Sequence, residues 1–139
     1  MKLQDAYAAE SNALGTWKVI GYSMPTSSQF NYVEGTSLEV TCSSGTIKTD
    51  KSGCEDTKDS DGKVTAPGVV GSSKNDEAWT ASNIAQLNDC VAGKNWVIAA
   101  EVSVAGTSTT NAGSVQYTPS VSGDGCTALT PNFTKIGTN

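Results

Sequence analysis

Four carboxylates crowd the stretch CEDTKDSDGK, where Glu55, Asp56, Asp59 and Asp61 lie within seven residues and the run closes on Asp-x-Asp-Gly. Hard oxygen ligands on a turn that ends in glycine suit calcium, which makes Asp59 and Asp61 the calcium candidates of the chain. The register of a helix–loop–helix calcium loop is broken, however. Thr57 stands where its first Asp belongs, and Gly68 where its bidentate Glu should be. A solvated charged loop is the favoured reading, and no metal or other cofactor is expected. A second Asp-Gly, Asp124-Gly125, reads as a turn just ahead of Cys126.

Acid–base chemistry on sugars needs two carboxyls on rigid walls of a cleft. Glu39 and Glu101 fall on expected strands, but nothing in their surroundings marks them as a pair, and exposed positions on strand faces are the commoner fate. The chain has no His, and its nine cations are all Lys. Nucleophile arrangements that rely on His, and metal sites that need imidazole, are therefore excluded. Bidentate arginine recognition of phosphate or guanine is excluded as well. A net charge of −5 argues against nucleic acid as a partner. No glycine-rich phosphate loop and no nucleophile elbow occur. No catalytic residue is assigned, and an enzyme is not expected.

Trp17, Trp79 and Trp96, together with the tyrosines, could form a platform for stacking sugar rings. Trp17 continues a helical stripe and Trp96 opens the apolar face of a strand, so both are expected in the core. Trp79, in NDEAWTAS, is the one expected to be accessible, and it is the ligand-binding candidate. The sequon Asn132-Phe133-Thr134 is common enough by chance to carry little weight.

Cys42, Cys54, Cys90 and Cys126 are widely spaced with no C-x-x-C, which argues against a zinc site or a redox motif. An even count in a chain with 17 Ser and 17 Thr reads as two disulfides formed in an oxidising compartment. Three pairings are possible. Cys42–Cys54 and Cys90–Cys126 are favoured, because near neighbours close the cheapest loops. No export signal is visible, and an oxidised chain without one leads to the expectation that the native N-terminus lies ahead of Met1.

These residues must be positioned by a single domain spanning 1–139. Leu3, Ala6, Tyr7, Glu10, Leu14 and Trp17 step by three and four, which predicts a helix over about 2–14 stopped by Gly15. Its N-terminal side has no capping residue, so it reads as cut rather than begun. A β-rich region follows, over about 29–137. Residues 29–33 and 36–42 are expected to pair as a hairpin around Glu34-Gly35. Residues 43–73 are read as an exposed loop, and 82–90 as a short helix capped by Ser82. The clearest strand is 95–104, where Trp96, Ile98, Ala100, Val102 and Val104 form one apolar face. Residues 107–113 are a connection, 114–119 the next antiparallel strand, and 132–137 an edge strand. The sum is α+β: an N-terminal α-helix packed on an antiparallel β-meander and stapled by disulfides.

The run LQDAYAAESNALGTW resembles the end of the spine helix of type IV pilins and pseudopilins, where it enters the head domain. The spacing of Cys90 and Cys126 around the last strands is similar to the disulfide-closed C-terminal region of many pilins. The resemblance implies a soluble head domain, lacking the N-terminal apolar half-helix, of a filament subunit that serves adhesion, motility, DNA uptake or secretion. It also implies homo-oligomerisation through that missing helix, a monomeric isolated domain, and an inner-membrane anchor before assembly into a cell-surface filament. The alternative is a small secreted carbohydrate-binding module that adheres to polysaccharide.

Overall fold

The computed structural model of the chain describes residues 1–103 and 113–137. Val104 and most of the expected 107–113 connection lie outside the described residues. The fold is mixed α/β, dominated by antiparallel strands and tied by two disulfides. Helices α1 (Lys2–Ser11) and α2 (Trp17–Ile20) come first, then β1 (Phe30–Val33) and β2 (Leu38–Ser44). Four short strands follow: β3 (Thr46–Ile47), β4 (Cys54–Glu55), β5 (Thr57–Lys58) and β6 (Val64–Ala66). The long strands β7 (Val69–Asn83), β8 (Gly93–Ser103) and β9 (Val115–Val121) precede α3 (Asp124–Leu129) and a 3-10 turn at Phe133–Lys135. Among the described residues, no helix is long and apolar enough to cross a membrane.

β7 is the centre of the main sheet. β8 and then β9 meander away along one edge, while β1 and β2 lie end to end along the other. The hairpin expected between 29–33 and 36–42 does not form. Val33 is opposite Thr80 and Leu38 opposite Asn75, so both segments pair with β7 instead of with each other.

A 15-residue strand can host both neighbours on one edge, and its own sequence conceals it. Its buried positions include Ser73, Asn75, Thr80 and Asn83, which break any apolar alternation. Each of these is satisfied by a partner, as buried polar groups must be. Ser73 Oγ accepts from Leu14 N–H (3.0 Å), and Thr80 Oγ1 donates to the Val33 carbonyl (2.7 Å).

Three apolar clusters cover the inner face. Ala8 and Leu14 pack with Leu38, Ala100, Val102 and Tyr117. Trp96 and Ala81 pack around the Cys90–Cys126 bridge with Phe30 and Phe133. Ala13, Val40 and Val70 form the third, beside Tyr7 and Cys54. The expected strand face holds where it is described: Trp96, Ala100 and Val102 are buried and Ile98 is half-buried.

The helix differs in length and phase. It ends at Ser11, where Asn12 takes the left-handed conformation (φ 55°) that commonly closes helices. Gly15 is therefore not its stop. Its buried face is Gln4 and Ala8, whereas Leu3 and Ala6, expected in the core stripe, are exposed. Leu14 reaches the core from beyond the helix.

Four more expectations are corrected. Residues 43–73 include two small ribbons, β3–β4 and β5–β6, and the start of β7. Residues 82–90 form no helix, because the Asn83 amide donates to the carbonyls of Ala85 (3.0 Å), Cys90 (3.2 Å) and Val91 (3.3 Å). A buried side chain that binds the local backbone in this way competes with helical hydrogen bonding. Residues 132–137 form no strand but hold the 3-10 turn Phe133–Lys135, which brings Phe133 to Trp79 with ring centres 6.1 Å apart. Asp124-Gly125 opens α3, and a Cβ on Gly125 would collide with the Asp89 backbone.

Candidate functional site

The inner face of the sheet is covered by α1 on one side and by the aromatic cluster with the C-terminal segment on the other. Between them lies a pocket of about 190 Å³. Its walls include Trp17 and Tyr22 from the α2 segment, Trp79 and Ile98 from β7 and β8, Gln4 from α1, and Tyr117 from β9.

A β-bulge builds one wall. The β7–β8 register shifts between Asn75 and Trp79, and bulges of this kind re-aim backbone groups. Here the Glu77 carbonyl accepts from Gly35 N–H (2.7 Å) and the Ala78 carbonyl accepts from the Trp17 indole N–H (2.8 Å). Asn75 Oδ1 holds the bulge from within, accepting from Ser37 Oγ and from Glu77 N–H, each at 3.0 Å. Trp17 also meets Tyr22 edge to face, with ring centres 4.9 Å apart.

The remaining polar groups of the walls are tied as well. The Trp79 indole N–H donates to the Tyr22 hydroxyl at 3.3 Å. Gln4, oriented to satisfy both ends of its amide, donates to the Gly15 carbonyl (3.0 Å) and accepts from Gly15 N–H (2.7 Å). The Tyr117 hydroxyl is shared between Asp5 Oδ1 (2.8 Å) and the Met1 carbonyl (3.0 Å). Burial, reinforced by the Asp5 carboxylate, pushes the Tyr117 phenol far above its ordinary 10.0 and keeps it a neutral donor.

Trp79 is half-buried, in ring contact with Tyr32 (5.6 Å) and Phe133. Trp17, expected in the core, is likewise half-buried and forms the opposite wall. Trp96 is buried elsewhere, its indole donating to Thr130 Oγ1 at 2.7 Å. Sequence places Tyr22 only among the tyrosines of a possible stacking platform and Ile98 on the apolar face of its strand; the bulge and the path of the chain after α2 bring both to this pocket.

The structure does not join the other candidates to this site. Asp59 Oδ1 accepts from Asp61 N–H and Lys63 N–H, both at 2.9 Å, and so closes its own turn. Among the described residues no group of three or more His, Cys, Asp or Glu could hold a metal. A wider recess of about 470 Å³ lies between Lys48, Glu55, Asp56 and Lys58, but its mixed charges select no ligand sign. Glu39 and Glu101 both face Lys74, one from each side of β7. This places them about 10 Å apart on an exposed sheet face, and the recess that Glu101 lines with Lys74 and Asp76 does not include Glu39.

Glu34 bears on the site indirectly. Its carboxylate accepts from Trp17 N–H at 2.8 Å, and burial raises its pKa above 4.5 despite that bond. A raised acid holds more protons in the folded than in the unfolded state, so stability falls as pH climbs through the raised value. Glu34→Gln keeps an oxygen for Trp17 and removes the charge. We expect its melting temperature to match the parent near pH 4 and exceed it at pH 7, by differential scanning calorimetry. A variant less stable than the parent at pH 7 would show that the carboxylate is favoured there.

Compared with protein-family models, with curated proteins and with solved structures, the chain finds no match in any of the three.

Proposed function

We propose that this chain is the head domain of a subunit of a type IV pilus-like or pseudopilus filament, displayed at a cell surface and acting in adhesion. What carries the reading is the outer side of α1. The helix buries Gln4 and Ala8 against the sheet and leaves Leu3, Ala6 and Ala9 in solvent. That is a partly apolar stripe facing away from its own domain. In this reading an apolar helix runs ahead of Lys2, anchors the subunit in the inner membrane, and then packs with its copies in the filament core. The heads form the shell, and the isolated head is a monomer.

Two features support it further. The chain opens with a helix and continues into mostly antiparallel strands, the layout that the resemblance of LQDAYAAESNALGTW implies. Each disulfide also pins an otherwise weakly held part, Cys42–Cys54 the short ribbons and Cys90–Cys126 the segment after β9. Such cross-links resist shear and proteolysis on an exposed fibre. The alternative, a secreted carbohydrate-binding module, would use Trp17 and Trp79 as its platform, but the pocket they line offers a sugar few hydrogen-bonding groups.

The test is immunogold electron microscopy of the cells that make the protein, with antibody raised to this domain. Gold strung along filaments that shear from the cells is the expected result. Gold confined to the medium or to a smooth cell wall would overturn the filament reading.

A further inference from the structure

We propose that the pocket between α1, α2 and the β7–β8 face binds a small compound built on one apolar six-membered ring that carries a single hydrogen-bond acceptor, such as a ketone oxygen. The inference is independent of the filament reading.

The hydrogen-bond inventory selects that chemistry. The indole N–H of Trp17 is used by the Ala78 carbonyl, and that of Trp79 by the Tyr22 hydroxyl. Both ends of the Gln4 amide are used by Gly15, and the Tyr117 proton by Asp5 and Met1. One donor is left. The Tyr22 oxygen accepts from Trp79, and among the described residues its own O–H has no acceptor. A pyranose would bury several hydroxyls against walls that cannot pair them, and each orphaned group is costly. No Asp, Glu or Lys lines the pocket, so no side chain there compensates a buried charge.

Size and stiffness agree. A volume of about 190 Å³ equals roughly six waters' share of the liquid, room for one substituted ring. Each indole is pinned by its own N–H bond, and one of those bonds is to the bulge. The aromatic walls are therefore set before a ligand arrives, which lowers the ordering cost of binding.

The experiment is a nuclear magnetic resonance titration of the whole chain, disulfides intact, with acetophenone, toluene and glucose as probes. The indole N–H signals of Trp17 and Trp79 should shift saturably with both ring compounds, while that of Trp96, bonded to Thr130, stays still. Acetophenone should bind about two- to tenfold more tightly than toluene, the range expected for one net hydrogen bond. Because Tyr22→Phe also frees the Trp79 indole N–H, the ratio should be abolished in the double variant Tyr22→Phe/Trp79→Phe while toluene still binds, and glucose should move nothing at the same concentration. The proposal is overturned by unsaturable shifts, by movement of all three indoles together, by a ratio that survives Tyr22→Phe/Trp79→Phe, or by glucose binding more tightly than the rings. Gold-labelled filaments say nothing for or against it, so the two readings fail separately.

Discussion

Replacing Cys90 and Cys126 together by Ala should lower stability by about 4 kcal/mol and the melting temperature by on the order of 10–15 °C. The bridge closes a sequence separation of 36 residues, and loop-closure entropy in the unfolded chain grows with that span. The other bridge closes only 12, for which the same relation gives about 3 kcal/mol. Packing widens the gap between them. Cys90 and Cys126 are almost fully buried against Trp96 and Ala81, while Cys42 and Cys54 are half-buried at the base of a ribbon. Only the first pair therefore leaves a core void behind it. Urea unfolding of the two double variants, compared with the oxidised parent, reads the ranking directly. If the Cys42/Cys54 variant lost as much as the Cys90/Cys126 variant, the inner bridge would be no more than a surface clip.

The bridges were legible because loop length alone ranked the pairings, and β8 was legible because apolar residues alternate along it. β7 was not. Between its buried Val70 and Ala81 stand buried Ser73, Asn75 and Thr80, whose burial depends on partners such as Leu14 N–H and the Val33 carbonyl, both far away in sequence. A hydrophobic pattern cannot report a strand that meets its neighbours through hydrogen bonds. The hairpin error follows from the same cause: without β7 in view, residues 29–33 and 36–42 had only each other to pair with.

The phase of α1 failed for a different reason. Leu14 and Trp17 continue the helical spacing on paper, but Asn12 turns the chain left-handed before either is reached. Leu14 then enters the core from a loop and Trp17 faces the pocket. For the candidate site the sequence assigns Trp17 to the core, leaves Tyr22 among the other tyrosines and marks Trp79 by its aromatic type. Its partners Trp17 and Tyr22 arrive because the β7 bulge turns the Ala78 carbonyl toward an indole from α2. No local pattern encodes that meeting.

Trp96→Ala should cost about 3–5 kcal/mol, the usual range for deleting a buried aromatic ring, and so a large share of a typical domain's stability. Two structural roles meet in this side chain. Its ring stands edge-on to Phe30 of β1 at 5.5 Å, while its indole N–H holds Thr130, just beyond α3. The Ala variant leaves a void beside the disulfide and loosens both neighbours together. Trp96→Phe separates the two roles, since most of the ring volume stays and the bond to Thr130 goes; its loss should be about 1–3 kcal/mol. Trp79→Ala, half-exposed at the pocket mouth, should cost less than Trp96→Ala and act mainly on ligand binding. Equilibrium unfolding of the three variants, read by far-ultraviolet circular dichroism, would rank them. A Trp79 variant as damaged as Trp96→Ala would mean that the pocket wall belongs to the core, with no surplus rigidity to give a ligand.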